Sequence, residues 1–126
     1  MTPGEMYWVD FPPSNGHEQA GRRPAIVIQD DSYAGAVGVA LVVPVTGQPA
    51  NARFPGTVTV VPTAMNGLLK PSVVLVFQAR ALDRRRFRNR IGVVEPTVLG
   101  HIFAELDRLT GRTVTNPPAS PTGTTP

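Results

Sequence analysis

Short apolar and β-branched runs, separated by polar loops, make up most of the chain. These runs predict strands over residues 6–11, 25–28, 37–45, 57–61, 73–77 and 87–94. The run at 25–28 is continuously apolar, which is typical of a strand buried on both faces, whereas 57–61 alternates as a half-buried strand does. Loop residues dominate 12–24 and 47–56, and Asn66-Gly67 is typical of a tight turn.

Near the C-terminus the apolar period changes to that of a helix. Pro96 suits the first turn because its missing N–H costs nothing there, and Glu95 and Arg108 complement the two helix ends. Gly111 predicts the end of the helix. An apolar stripe along it is formed by Val98, Leu99, Ile102, Phe103, Leu106 and Leu109. We interpret the helix as core packing. The predicted fold class is mainly β with a C-terminal helix, as in a small, strongly bent β-barrel with helix cover.

A change in composition divides the chain after residue 112. The whole chain has 126 residues, a mass of 13.5 kDa and 41% hydrophobic residues. A chain of this size forms one domain that buries roughly two-thirds of its unfolded surface. Residues 113–126 carry no charge and few apolar side chains, so burial cannot offset their ordering entropy. We expect one folded domain over 1–112 and a disordered Pro/Thr-rich tail over 113–126.

The residue content excludes several classes of chemistry. Without cysteine there is no disulfide scaffold, zinc–thiolate site, iron–sulfur cluster or cysteine nucleophile. His17 and His101 stand in no ligand-spaced motif, and the chain has no GxSxG, P-loop, HExxH or GxGxxG pattern. A ribonuclease that uses the two histidines stays an alternative, although His101 lies within the helix beside the apolar stripe, where a structural role is more common.

Neither a signal peptide nor a membrane span is predicted. The first eleven residues lack a basic segment and a long apolar stretch. The longest apolar run, at 36–45, is broken by Gly38 and Pro44 and is shorter than the roughly 18 residues that a span needs. We expect a soluble cytoplasmic protein without a membrane partner.

Arginine dominates the charge of the chain. Twelve basic residues face nine acidic ones, the net charge is +3 and the pI is about 10.2. GC-rich coding would also explain the arginines, but their distribution favours a function. Asp83 is the only acidic residue in a short segment that contains Arg80, Arg84, Arg85, Arg86, Arg88 and Arg90. Such a basic patch suits nucleic acid or an acidic protein partner.

Three loop and strand-end positions are candidates for chemistry. Arg23 precedes Pro24, which biases it to extended geometry and sets where its side chain departs, whereas the residue pattern favours an ordinary solvated charge for Arg22. Thr46 ends a buried strand, where its hydroxyl could serve a phosphate oxygen, although a β-branched residue commonly ends a strand for structural reasons. The segment 78–80 ends another apolar strand and is also explained as a strand-to-turn boundary.

Five blocks of residues follow one another in a specific order. They read GEMYWVDF at 4–11, GxEQxGxRPAxVI at 16–28, VPVT at 43–46, SVxLxxQxRxLD at 72–83 and RIG at 90–92. In this order they resemble the MazF/PemK toxins of bacterial toxin–antitoxin pairs, from Gly4 to about Gly111.

The resemblance implies an SH3-like barrel of the CcdB/PemK type that forms a homodimer. It implies a sequence-selective endoribonuclease that cleaves single-stranded RNA with neither a metal ion nor another cofactor. In that family the ribose 2′-OH attacks the adjacent phosphate, which leaves a 2′,3′-cyclic phosphate and a 5′-OH end. The implied protein partner is an acidic, partly disordered MazE-like antitoxin that covers the basic groove.

The resemblance also assigns roles to individual residues. The catalytic arginine and threonine match Arg23 and Thr46. The implied RNA contacts are His17, Glu18, Gln19, Arg22, Gln78 and Arg80. A basic patch for RNA or antitoxin is formed by Arg84, Arg85, Arg86 and Arg88. The chain departs from the family at His17, where serine is usual, and in its tail.

Two other functions are compatible with a barrel of this type. A CcdB-like poison of DNA gyrase acts by binding, but it relies on a C-terminal tryptophan, and the only tryptophan here is Trp8 in the first strand. A non-catalytic RNA- or protein-binding barrel is the second alternative, and retention of both Arg23 and Thr46 argues against it.

Overall fold

The computed structural model describes residues 1–16, 20–33, 36–47, 52 and 54–112. Within them the chain forms seven strands and one α-helix. The strands are β1 (Glu5–Phe11), β2 (Gly21–Val27), β3 (Val39–Thr46), β4 (Thr57–Val60), β5 (Ser72–Leu75), β6 (Arg80–Asp83) and β7 (Phe87–Val93), and the helix is α1 (Pro96–Leu109). Short 3₁₀ turns lie at Asp31–Tyr33, Val76–Gln78 and Arg84–Arg86. The predicted tail at 113–126 lies outside the described residues.

The strands pair antiparallel in the order β4-β5-β3-β2-β1-β7, and β6 pairs with β3 off this path. Strand β3 is the centre of this arrangement because it pairs with three strands. Its first half lies beside β6, its last two residues lie beside β5, and its middle pairs with β2. The expected mainly β fold with one C-terminal helix is therefore confirmed.

Two hydrophobic clusters lie on opposite faces of β2. Ile26 and Ile28 belong to the larger cluster, which the helix covers through the fully buried Ile102. Ala25 and Val27 point to a smaller cluster with Phe11 of β1. Successive residues of a strand face opposite sides, so a continuous apolar run is needed where both sides are covered. The prediction of a doubly buried strand at 25–28 is confirmed.

The helix presents a narrower apolar face than its sequence predicts. Val98, Leu99 and Leu106 pack beside Ile102 against the larger cluster. Phe103 and Leu109 lie at the edge of this face and are 39% and 46% exposed. Gly111 adopts φ +77° just after the helix, the left-handed conformation that ends helices at glycine.

Three predictions about the elements are wrong. The loop predicted over 12–24 is too long, because β2 already begins at Gly21 and its residues 21–24 pair with β1. The strand expected at 73–77 ends at Leu75, because the chain turns into the 3₁₀ segment Val76–Gln78. Strand β6 was not predicted at all, since its four residues, RALD, show no run of apolar residues. Its strand geometry comes from pairing with β3, in which Leu82 lies opposite Ala40.

A buried asparagine shapes the turn that precedes β5. Asn66 is fully buried, and its Oδ1 accepts hydrogen bonds from the backbone N–H groups of Thr63 and Leu68, both at 3.0 Å. Its Nδ2 donates to the carbonyl of Val61 at 2.9 Å. Gly67 follows with φ +72° and lies so close to the Ile91 carbonyl of β7 that no Cβ would fit. The turn predicted at Asn66-Gly67 is confirmed, and it is fixed against β7.

Candidate functional site

A cavity of about 560 Å³ opens where β2 begins and β3 ends. Arg23, Thr46 and Arg22 line it, together with Trp8 of β1 and Lys70 from the segment before β5. The described residues that line the cavity include three cations and no carboxylate. The fold therefore brings three of the predicted site residues into one positively charged cavity.

Arg23 is held in place by its strand and by its own side chain. Arg23 pairs with Val9 of β1 and stands two residues before Ala25, which lies opposite Pro44 of β3. Thr46 stands two residues after Pro44, so both positions lie just beyond the same end of the β2–β3 ladder. The half-buried side chain donates from Nε to the carbonyl of Ala20 at 3.2 Å. Because Nε is engaged with the backbone, the terminal nitrogens of the guanidinium form the part that a ligand can reach.

Thr46 is the last residue of β3 and is only 3% exposed. It lies opposite Val73 of β5 in the antiparallel ladder. A hydroxyl set in a regular strand is a better positioned donor than one on a mobile loop. The buried wall of the cavity thus carries a fixed hydroxyl beside the cationic groups.

Arg22 belongs to an ion-paired cluster as well as to the cavity. Its Nε donates to Oδ1 of Asp10 at 2.8 Å, and Nη2 of Arg88 lies 2.7 Å from the other carboxylate oxygen. These hydrogen bonds from Arg22 and Arg88 hold the pKa of Asp10 below its ordinary 3.8. A second cavity of about 370 Å³ adjoins the first and is lined by Trp8, Arg22, Arg88 and Asn89. Arg22 is therefore both a paired surface charge and a wall shared by two cavities.

Trp8 and Lys70 were not identified as site residues from the sequence. Trp8 is 41% exposed and lines both cavities. Its place in an apolar strand gives the usual signal of a core residue, which hides its exposure. Lys70 could have been noticed as the only lysine, standing just before a predicted strand. Neither residue belongs to a motif, so only the packing of distant segments brings them to the cavity.

The arginine-rich segment is largely paired within the fold. In sequence only Asp83 lies among these arginines, and it pairs with Arg85 at 3.1 Å. The fold adds Asp10 as a partner for Arg88 and Glu5 as a partner for Arg90, at 2.7 Å and 3.1 Å. The arginines of this segment are therefore less available to an external ligand than the sequence suggests.

The remaining arginines of this segment have different surroundings. Arg86 donates from Nη1 to the carbonyl of Asp10 at 3.2 Å, and the guanidinium of Arg80 lies 6.0 Å from the ring centre of Phe11. Nε and Nη2 of Arg84 are buried, and neither has a hydrogen-bond partner among the described residues.

Several predicted RNA contacts lie apart from the cavity. Gln78 ends the 3₁₀ turn after β5, and Arg80 begins β6; neither is among the residues that line either cavity. His17, Glu18 and Gln19 lie outside the described residues. Their RNA-binding roles stay predictions.

The chemistry of the cavity lining suits an anion. Arginine and lysine donors with a buried hydroxyl favour phosphate or another oxyanion. Within the described part of the chain, no three His, Asp or Glu side chains are grouped as a metal site would require. Nor does that part contain a helix long and apolar enough to cross a membrane.

Comparison with known proteins decides the family. The model of the PemK-like, MazF-like toxins of type II toxin–antitoxin systems matches residues 2–110. The chain belongs to this family. The match covers nearly all of the described residues and confirms the resemblance seen in the five ordered blocks.

Individual members of the MazF/PemK family are similar to this chain in sequence and in structure. The endoribonuclease toxin MazF of Escherichia coli K12 is 34% identical over 109 residues, which cover 86% of this chain and 92% of that protein. Endoribonuclease MazF6 of Mycobacterium tuberculosis H37Rv is 36% identical over 110 residues, with 86% and 96% coverage.

Solved structures agree with this assignment. MazF from Deinococcus radiodurans superposes with a TM-score of 0.75 at 34% identity, covering 88% of this chain and 96% of that one. The likeness confirms the CcdB/PemK type of fold.

Proposed function

We propose that this chain is the toxin of a type II toxin–antitoxin pair and an endoribonuclease that cleaves single-stranded RNA. The observation that carries the proposal is the placement of Arg23 and Thr46 in one cationic cavity without a lining carboxylate among the described residues. Family membership and the endoribonuclease relatives support the same activity. Cleavage leaves a 2′,3′-cyclic phosphate on one fragment and a 5′-OH on the other, and the loss of intact messenger RNA, or of ribosomal or transfer RNA, inhibits translation and growth.

The reaction is an internal phosphoryl transfer. The ribose 2′-oxygen attacks the adjacent phosphorus and loses its proton, while the bond from phosphorus to the 5′-oxygen breaks and that oxygen gains a proton. The requirement for the 2′-OH restricts the reaction to RNA. Negative charge increases on the non-bridging oxygens in the transition state, so fixed donors aimed at them lower the barrier.

Arg23 and Thr46 supply such donors. A guanidinium stays protonated at all ordinary pH values, so we assign Arg23 to charge stabilisation by its terminal nitrogens rather than to proton transfer. The Thr46 hydroxyl adds a hydrogen bond from a buried strand position. Removal of one donor of this kind typically lowers the rate about 100- to 1,000-fold.

The same cavity suits competition between RNA and an antitoxin. An acidic, partly disordered chain that covers the cationic cavity would block the substrate phosphate by charge and by volume. A complex of MazE with MazF from Deinococcus radiodurans superposes with a TM-score of 0.71 at 30% identity, covering 90% of this chain and 98% of that one. This likeness supports a MazE-like partner, and we propose that the toxin acts as a homodimer.

Cleavage of a long single-stranded RNA in the presence of EDTA tests the activity. We expect discrete cuts with 5′-OH ends from the wild type, and losses of about 100-fold or more in Arg23→Ala and Thr46→Ala. Arg108→Ala on α1 and Thr59→Ala on β4 are matched controls, because both side chains are exposed and neither lines the cavity. Intact RNA after incubation with folded wild type would overturn the proposal and direct the next assay to DNA gyrase.

A further inference from the structure

Lys70 is the only lysine of the chain, and it lines the cavity that holds Arg23 and Thr46. We propose that its ammonium binds a phosphate of the RNA substrate in this cavity. This role rests on the proposed function, and it adds a substrate contact that no sequence motif marks. The proposal stands on three features of Lys70: its contact with Gly47, its unpaired charge, and the rigid segment that carries it.

The end of the Lys70 side chain occupies the space left by a missing side chain at Gly47. A Cβ at residue 47 would lie 2.8 Å from Nζ of Lys70 and would overlap its Cε. Gly47 directly follows Thr46, so the ammonium lies against the backbone next to the residue that carries the buried hydroxyl. Glycine at 47 therefore allows a cation to approach this wall of the cavity.

The positive charge of Lys70 is not paired with a carboxylate among the described residues. Among the described residues, carboxylate partners at 2.7 to 3.2 Å are found for Arg22, Arg85, Arg88, Arg90, Arg108 and Arg112. Within the same part of the chain, neither Lys70 nor Arg23 has a carboxylate partner. Among the described residues, these two cations line a cavity without a carboxylate, which favours a ligand that supplies the countercharge.

The segment before Lys70 is rigid enough to position it. Asn66 holds the backbone of the turn by three hydrogen bonds, and Gly67 lies in close contact with the backbone of β7 at Ile91. After Lys70 the chain enters β5 at Ser72, whose hydroxyl donates to the Lys70 carbonyl at 3.0 Å. The backbone of residue 70 is thus fixed on both sides, while its long side chain can adjust.

Lysine and arginine complement each other at such a site. The planar guanidinium of Arg23 suits two phosphate oxygens at once, whereas an ammonium is a compact charge with three donors on an adjustable stem. The phosphodiester already carries its negative charge before the reaction. We therefore assign Lys70 chiefly to binding of the substrate rather than to extra stabilisation of the transition state.

Kinetics of single-stranded RNA cleavage test this assignment. Lys70→Met keeps the apolar stem and removes the charge. We expect it to raise KM about tenfold with little change in kcat, whereas Lys70→Arg retains most of the affinity. The log–log dependence of binding on salt should become shallower by about 0.7, the value for one phosphate contact on a single strand. Arg108→Met removes one charge from an exposed position on α1 that lines neither of the two cavities, and is the matched control.

A substitution at Gly47 tests the geometry without removing the charge. Gly47→Ala displaces only the flexible end of Lys70, so the fold should tolerate it. We expect KM to rise in the wild-type background and to change little when Gly47→Ala is added to Lys70→Met. Such non-additivity identifies the two residues as acting through one contact.

Chemical labelling supplies a readout that does not depend on cleavage. Lys70 and the N-terminus carry the only aliphatic amines of the chain, so reductive methylation reports on Lys70 by mass spectrometry with the N-terminus as internal control. The probe is a short RNA spanning a mapped cut, with one 2′-deoxynucleotide at the attacking position to prevent cleavage. We expect it to protect Lys70 several-fold and to leave the N-terminus unprotected.

The outcomes separate this role from the proposed function. If the wild type cleaves no RNA, the proposed function fails and the role of Lys70 fails with it. If the wild type cleaves but Lys70→Met has an unchanged KM, or the bound probe leaves Lys70 fully labelled, the role of Lys70 alone is overturned.

Discussion

Thr46 combines a structural and a chemical position in one side chain. As the last residue of β3 it is nearly fully buried and faces Val73 across the ladder, yet it also lines the cationic cavity. A β-branched shape suits the strand, and a hydroxyl suits the cavity. Substitution of Thr46 by valine keeps the β-branched shape and removes the hydroxyl, whereas substitution by serine keeps the hydroxyl and removes the branch.

We expect Thr46→Val to lower the cleavage rate about 100- to 1,000-fold while the protein still folds. Thr46→Ser keeps the hydroxyl and should retain most of the activity. Single-turnover cleavage and thermal unfolding of both variants provide the measurement. A fully active Thr46→Val would show that the hydroxyl takes no part in the reaction.

Among the elements, the turn between β4 and β5 has the most demanding local structure. The side-chain amide of Asn66 forms hydrogen bonds with backbone groups of Thr63, Leu68 and Val61, in the place of backbone partners. Its Nδ2 also lies 3.4 Å from Oε1 of Glu95, which connects the turn to the start of α1. The turn thereby sets the direction in which residues 67–70 reach the cavity.

We expect Asn66→Ala to lower the free energy of unfolding by about 2 kcal/mol, because partly buried backbone groups lose their partners. For a domain of this size that corresponds to a fall of about 8 °C in melting temperature. Asn15→Ala, at an exposed position, is the control and should change stability by less than about 0.5 kcal/mol. Equal melting temperatures for the two variants in differential scanning calorimetry would contradict this role of Asn66.

The elements also show how far local patterns predict the fold. The apolar run at 25–28 marked the buried half of β2, and the Pro96-to-Gly111 segment marked α1 together with its ends. Residues 21–24 of β2 were missed because this half of the strand has no apolar run. Strand β6 was missed because its residues alternate without an apolar run, and it is a strand only because β3 offers a partner. The strand predicted at 73–77 is longer than β5 because Val76 is buried although it lies in a 3₁₀ turn, and burial alone does not distinguish a strand from a 3₁₀ turn.

At the scale of the whole molecule, ion pairs connect strands that are far apart in sequence. Asp10 of β1 binds Arg22 of β2 and Arg88 of β7, and Glu5 of β1 binds Arg90 of β7. The three strands are neighbours in the order β2-β1-β7. The excess of arginine is therefore used partly to join strands and partly, at Arg23, to line the cavity.

The Asp10 cluster makes stability depend on pH. Hydrogen bonds from Arg22 and Arg88 lower the pKa of Asp10 in the folded protein below its ordinary 3.8. A lowered folded pKa means that the contribution is fully present above the ordinary pKa and is lost as pH falls through the lower folded value.

We expect Asp10→Asn to lower the melting temperature by a few degrees at pH 7 and the difference from the wild type to shrink below about pH 4. Thermal unfolding at a series of pH values measures this difference. Asp31→Asn is the control, because Asp31 is 61% exposed and its 3.7 Å pair with the N-terminal amine is a surface contact worth little, so this variant should stay close to the wild type throughout. A gap for Asp10→Asn that persists unchanged at pH 3 would contradict the ion-pair explanation.

The sequence by itself determined the mainly β class and the position of the helix, and its resemblance to the MazF/PemK family pointed to Arg23 and Thr46. The class and the helix follow from local periodicity, which depends only on residues near one another in the chain, whereas the two site residues rest on the ordered motifs of the family. Only the tertiary structure decided that Lys70 lies against Gly47, that Trp8 is exposed beside Arg22 and that Asp10 pairs with Arg88. The physical reason is that periodicity reports whether a residue is buried, whereas the pairing order of the strands decides which distant residues meet.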